Sequence, residues 1–122
     1  MNQEVTNWGY SLSLDVAGAE HDSITSYDVI YDFTIDLVDR IAMVRYEDPK
    51  IVKFGTGNKA GFTLVQLIET SSIAAHFCDD TDTFYIDVFS CKEFSIEDVK
   101  DCIKDYFGEN CSFKTHYFER QA

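Results

Sequence analysis

Hydrophobic and polar residues alternate strictly near the start of the chain. Trp8, Tyr10, Leu12, Leu14 and Val16 are interleaved with Gly9, Ser11, Ser13 and Asp15, the period of two that marks a strand with one buried face. The stretch 18–22 breaks the pattern. From about residue 25 to 42 the apolar set Ile30, Phe33, Leu37, Val38 and Ile41 recurs at helical spacing. Asp28, Asp32, Asp36 and Asp39 lie between them, and Thr25 or Ser26 is placed to cap the helix. A strand is predicted over 51–54, a turn over 55–61 and a β-prone run over 62–68. After the small polar residues Thr70, Ser71 and Ser72, another strand is predicted over 73–77 and an acidic turn over 79–82. Residues 83–91 alternate again, with Phe84, Ile86 and Val88 on one face and Tyr85, Asp87, Phe89 and Cys91 on the other. Ser95 and Asp98 have the spacing of a capping box. They open a helix striped by Ile96, Val99, Ile103 and Phe107, which Gly108 ends. Residues 113–118 read as the closing strand.

This order is strand, helix, strands, then strands, helix, strand, with short connections. It predicts an α/β (α+β) two-layer sandwich, a mostly antiparallel sheet with two helices packed on one face. No linker, repeat or low-complexity run interrupts it, so 1–122 reads as a single domain. A chain of 122 residues is long enough to bury its own core without a metal or disulfide.

Charge narrows the partners. Acidic residues outnumber basic ones by 22 to 10, a formal net charge of −12. Such a surface repels phosphate backbones and anionic lipid, which argues against nucleic-acid and membrane partners. It attracts cations, sulfonium compounds and polyamines among them, although acidity also serves solubility alone. The cysteines Cys78, Cys91, Cys102 and Cys111 form no C-x-x-C pair and no zinc-finger spacing. The opening residues MNQEVTNWGY show neither the basic nor the apolar region of a secretion signal. No apolar run approaches the ~20 residues that span a bilayer. A cytoplasmic protein with reduced thiols is expected.

Candidate chemistry lies where polar residues interrupt the most β-rich part of the chain. Ser71, Ser72, His76 and Cys91 have the side chains of a nucleophile, a proton carrier and an acid. Spacing alone favours an ordinary mixture of core and surface positions. A serine-hydrolase elbow is missing, because Ser71 is flanked by Thr70 and Ser72. The sequence around Cys91 is not that of a thiol protease. His76, Cys78, Asp79 and Asp80 form a conceivable metal cluster, but a segment this acidic reads better as a solvated turn, and no metal is expected. The glycines of 55–61 are not followed by the lysine and hydroxyl that a phosphate-binding loop carries after its last glycine.

Two segments change this picture. LIETSSIAAHF (67–77) and FYIDVFSC (84–91) resemble the bacterial pyruvoyl-dependent S-adenosylmethionine decarboxylases. In that family a Glu-Ser-His-Ile segment precedes a histidine and, later, an Asp-Val-Phe-Thr-Cys segment. The resemblance makes Ser71 the pyruvoyl-forming serine, His76 the processing histidine and Cys91 the catalytic cysteine, at the family's separations. It departs from the family at Thr70, where a glutamate precedes the cleaved serine, and at Ser72, a histidine in bacterial members but a serine in the eukaryotic branch. Cys78, Asp79 and Asp80 replace a Trp-Pro-Glu. Asp80 still offers a carboxylate to ribose hydroxyls, and Phe54 is the candidate for adenine stacking.

The resemblance implies a proenzyme that cuts itself between Thr70 and Ser71. The Ser71 hydroxyl attacks the Thr70 carbonyl, Ser72 or backbone donors stabilise the oxyanion, and His76 moves the proton. The product is a pyruvoyl group at residue 71, which binds the substrate amine as a Schiff base, while Cys91 protonates the decarboxylated carbon. S-adenosylmethionine as substrate, spermidine biosynthesis as context and a homodimer with active sites built between subunits are implied likewise. Two alternatives stay open. One is an unprocessed, inactive homologue acting as a regulatory or binding partner, which Thr70 favours. The other is a pyruvoyl decarboxylase for another amino acid, such as arginine or ornithine, which the changed segment 78–80 permits.

Overall fold

The computed structural model describes residues 7–122; the opening segment read above for a secretion signal lies partly in 1–6, outside the described residues. The elements are β1 (Gly9–Ala17), α1 (His21–Ile24), α2 (Tyr27–Arg40), β2 (Arg45–Phe54), β3 (Gly61–Ile68), β4 (Ser71–Cys78), β5 (Thr83–Ser90), α3 (Ile96–Phe107) and β6 (Ser112–Arg120), with a 3₁₀ turn at Gly57–Lys59. The strands form one sheet in the order β2-β3-β4-β5-β1-β6. Each neighbouring pair is antiparallel. The expected two-layer α+β sandwich is what forms.

The period-two pattern decides which face is buried. Leu12, Leu14 and Val16 of β1, Ile73, Ala75 and Phe77 of β4, and Phe84, Ile86 and Val88 of β5 point into one core. Ile30, Phe33, Leu37 and Val38 of α2 and Val99, Ile103 and Phe107 of α3 close that core from the other side. Its centre is aromatic: the Phe107 ring lies 5.0 Å from Phe33 and 4.9 Å from Phe84, centroid to centroid.

Helix ends follow the predicted chemistry. Ser26 Oγ accepts the Val29 N–H at 3.2 Å, and Ser95 Oγ accepts the Asp98 N–H at 3.1 Å. At the end of α2, the Met43 N–H reaches the Val38 carbonyl and the Ala42 N–H reaches the Asp39 carbonyl, with Ala42 at φ 57°. These paired bonds stop the helix and turn the chain toward the sheet.

Two elements differ from expectation. A short helical turn, α1, starts within the break at 18–22 and runs on to Ile24. β2 begins at Arg45 rather than at 51, because its pairing with β3 jumps from Tyr46 to Lys50. Pro49 and the positive-φ Glu47 (φ 63°) lie in that bulge, where no regular ladder bond is required of them. The buried Gln66 donates Nε2–H to the Tyr46 and Glu47 carbonyls. An irregular strand of this kind carries no period of two, so its first half is invisible in the pattern.

The second face of the sheet is open. Register puts Tyr46, Leu67, Ser72, Phe89, Ser11 and Phe118 in one row across all six strands. Tyr46, Leu67 and Phe118 are more than half exposed, and Val65 and Tyr85 nearly so. Exposed large apolar side chains gathered on one face mark a candidate interaction surface.

Candidate active site

Ser71 begins β4 at the tip of the β3–β4 hairpin. Ile68 and Ser71 are the last paired residues, leaving Glu69 and Thr70 as a two-residue turn. The second of these has φ 56°, a left-handed conformation that ordinarily selects glycine or asparagine. A β-branched residue there is strained, at a cost on the order of 1–3 kcal/mol that the surroundings must hold in place. The strain therefore lies beside the Thr70–Ser71 peptide.

What holds the turn is the end of β5. Cys91 donates its backbone N–H to Ser71 Oγ at 3.1 Å, and its Sγ lies 2.8 Å from Thr70 Oγ1. Thr70 Oγ1 also donates to the Glu69 carbonyl at 2.6 Å. Just before Cys91, the fully buried Ser90 accepts the Lys92 N–H at 3.0 Å and donates to the Lys92 carbonyl at 2.6 Å. That local ring shapes the bend that presents the thiol. Gly9 of β1 runs against the same bend, where a Cβ would stand 2.6 Å from the Ser90 carbonyl oxygen. Only glycine allows this approach.

Beside the hydroxyl and the thiol is a depression of about 230 Å³ lined by Met43, Val44, Ile68, Glu69, Thr70, Ser71, Cys91 and Lys92. Its far wall is the segment that leaves α2. Lys92 Nζ donates to the Ala42 carbonyl at 2.6 Å and fixes that wall to the end of β5. The depression is open, contains both proposed reacting groups and carries one ammonium and one carboxylate at its rim.

The remaining predicted residues are elsewhere. Ser72 follows Ser71 and takes the opposite, open face of β4, paired with Leu67 and Phe89; the exposed Trp8 stacks on Phe89 at 5.6 Å. His76 stands five positions along β4, roughly 17 Å from Ser71 at the rise of a strand. It projects from the open face and its Nδ1 is 3.2 Å from Thr63 Oγ1. Asp80 is exposed in the β4–β5 turn, and Phe54 is exposed at the end of β2, both at the opposite end of the sheet from Ser71. Thus Thr70, Ser71 and Cys91 meet within one chain, and His76, Asp80 and Phe54 do not join them. Among the described residues no three His, Cys, Asp or Glu side chains gather as a metal site, and no helix is long and apolar enough to cross a membrane.

Sequence reading missed Lys92, Ser90, Thr63 and the 42–44 wall. Lys92 and Ser90 adjoin Cys91, so a local signal existed for them. Thr63 becomes a neighbour of His76 only through hairpin register, and the wall only through the docking of α2.

The fold and this cluster define an α+β protein with a hydroxyl and a thiol held together at a strained hairpin turn. The chain belongs to the S-adenosylmethionine decarboxylase family, whose sequence profile it matches over residues 10–121. Its structure is similar to the crystal structure of the adenosylmethionine decarboxylase from Aquifex aeolicus VF5, with a TM-score of 0.76 and 19% identity over 97% of this chain and 94% of that one. No curated protein matches the chain.

Proposed function

We propose that this chain is a self-processing S-adenosylmethionine decarboxylase of spermidine biosynthesis, cut between Thr70 and Ser71. The observation that carries this reading is the meeting of the Ser71 hydroxyl and Cys91 at a turn strained at Thr70. Ser71 suits a pyruvoyl precursor, because its hydroxyl is anchored and opens on a depression with room for a small substrate group.

In this reading Ser71 Oγ bonds to the Thr70 carbonyl carbon as the peptide C–N bond breaks, giving an ester. Loss of the Ser71 α-proton then expels the Thr70 carboxylate. Water replaces the nitrogen at residue 71, releasing ammonia and leaving a ketone. A pyruvoyl group at this place supplies an electron sink for breaking a carbon–carbon bond. Cys91 gives a proton to the substrate carbon, and the acidic surface favours a sulfonium cation.

His76 cannot serve the Ser71 of its own chain across roughly 17 Å. It acts instead on a second copy, within a homodimer formed by two open faces. The apolar band of Tyr46, Leu67, Phe89 and Phe118 is suited to such packing. Thr63 orients the imidazole through Nδ1.

Intact mass spectrometry tests the reading. Fresh wild-type protein resolves into fragments 1–70 and 71–122, the second blocked to Edman degradation, while Ser71→Ala stays whole. A wild-type chain that remains whole on prolonged incubation would overturn it. That outcome favours an unprocessed homologue that partners an active decarboxylase, the reading supported by threonine rather than glutamate before Ser71.

A further inference from the structure

We infer that the Thr70 hydroxyl is a positioning group for self-cleavage: it holds the Cys91 side chain against the scissile turn, so that the Cys91 amide orients the Ser71 hydroxyl. The inference rests on the cleavage reading above and gives a role to one of the residues at which this chain departs from the family pattern it resembles.

Hydrogen accounting assigns the direction of the contacts. A threonine hydroxyl carries one proton, and Thr70 directs it to the Glu69 carbonyl at 2.6 Å. Its oxygen can then meet the Cys91 sulfur at 2.8 Å only as an acceptor, so the thiol is the donor. Cys91 passes the constraint on through its backbone, whose N–H reaches Ser71 Oγ at 3.1 Å. Three residues thus close a ring around the Thr70–Ser71 peptide: Thr70 fixes Cys91, and Cys91 fixes the nucleophile. The left-handed backbone at Thr70 (φ 56°) is part of the same ring. Valine at 70 would keep the shape and the β-branch and lose only the acceptor and donor.

The test compares self-cleavage time courses by intact mass in Thr70→Val and Thr70→Ser. Loss of one neutral hydrogen bond predicts cleavage roughly fivefold slower in Thr70→Val, with Thr70→Ser close to wild type. In a Cys91→Ala background Thr70→Val should cause no further slowing, because the hydroxyl acts through that side chain. Cleavage of Thr70→Val at the wild-type rate, or equal slowing with and without Cys91, would overturn the inference. A separate readout needs no cleavage. In the uncut Ser71→Ala chain, the infrared S–H stretch assigned to Cys91 by difference should move to higher frequency when Thr70→Val is added. An unmoved band rules out the contact. If the wild type never cuts but the band does move, the cleavage reading fails, and with it the positioning role, while the contact stands.

Discussion

At the scale of single residues, Cys91 carries two separable tasks. Its backbone N–H reaches the Ser71 hydroxyl, a bond open to every residue type except proline, which the thiol's contact with Thr70 only steadies. In the proposed reaction its thiol is the proton donor to substrate, and only the side chain supplies that. Cys91→Ala is therefore expected to depress turnover far more than self-cleavage. A lost general acid removes about 10²–10⁴-fold in rate, and carbon dioxide release measured alongside intact mass separates the two effects. An active wild type whose Cys91→Ala variant turns over normally would remove Cys91 from the reaction. The Thr70–Ser71–Cys91 grouping was foreseen only in part. Family resemblance named Ser71 and Cys91, but nothing local revealed that Thr70 would touch the thiol.

At the scale of elements, α2 and α3 are clamped through a polar cluster above their apolar contact. Arg40 makes a two-pronged bond to Asp36, each arm 3.0 Å, and a third contact to Asp105 at 2.7 Å. The Tyr106 hydroxyl donates to Asp36 at 2.8 Å. Arg40 is the main reason that the Asp36 carboxyl titrates below its ordinary 3.8, with the Tyr106 bond adding to it and burial opposing. Burial, then the bond to Asp36, pushes the Tyr106 hydroxyl up to about 12. A carboxyl lowered in the folded state stabilises the fold fully above its unfolded value and loses that contribution as pH falls below it. Asp36→Asn should thus lower the thermal midpoint at neutral pH, with the gap from wild type closing as pH drops below about 3.8. Beneath the clamp, Phe107 joins both helices to the sheet through Phe33 and Phe84. Phe107→Ala should cost about 3–5 kcal/mol in urea unfolding.

At the scale of the whole molecule, one chain holds the Ser71 hydroxyl and the Cys91 thiol at one end of the sheet and His76 well down its open face. The proposed homodimer resolves this separation by letting His76 of one copy serve Ser71 of the other. Complementation tests it directly. His76→Ala alone and Ser71→Ala alone should each stay uncut. Chains of the two variants, unfolded together and refolded as a mixture, should regain cleavage in the His76→Ala chain alone, since that chain keeps Ser71 and borrows the imidazole. No recovery in a mixture shown to form mixed dimers would remove the shared site. Light scattering at micromolar concentration should give a dimer for wild type and a monomer for Leu67→Asp, which puts a charge on the apolar band.

Local pattern was enough for most of the strands and for the two long helices of this protein. Alternation in 8–16 and 83–91 and the helical stripes after Ser26 and Ser95 are set by which side chains leave water, a preference that each segment expresses by itself. The buried faces, both caps and the α+β class follow from it. The first half of β2 escaped because a bulge cancels periodicity. The site was legible to the extent that Ser71 and Cys91 stand in a familiar string. Register and docking decided the rest: the hairpin pairs Thr63 with His76, β5 delivers Cys91 to Thr70 from 21 positions away, and the end of α2 walls the depression through Lys92. These contacts join residues whose separation along the chain bears no relation to their distance in space. Only the folded sheet brings them together.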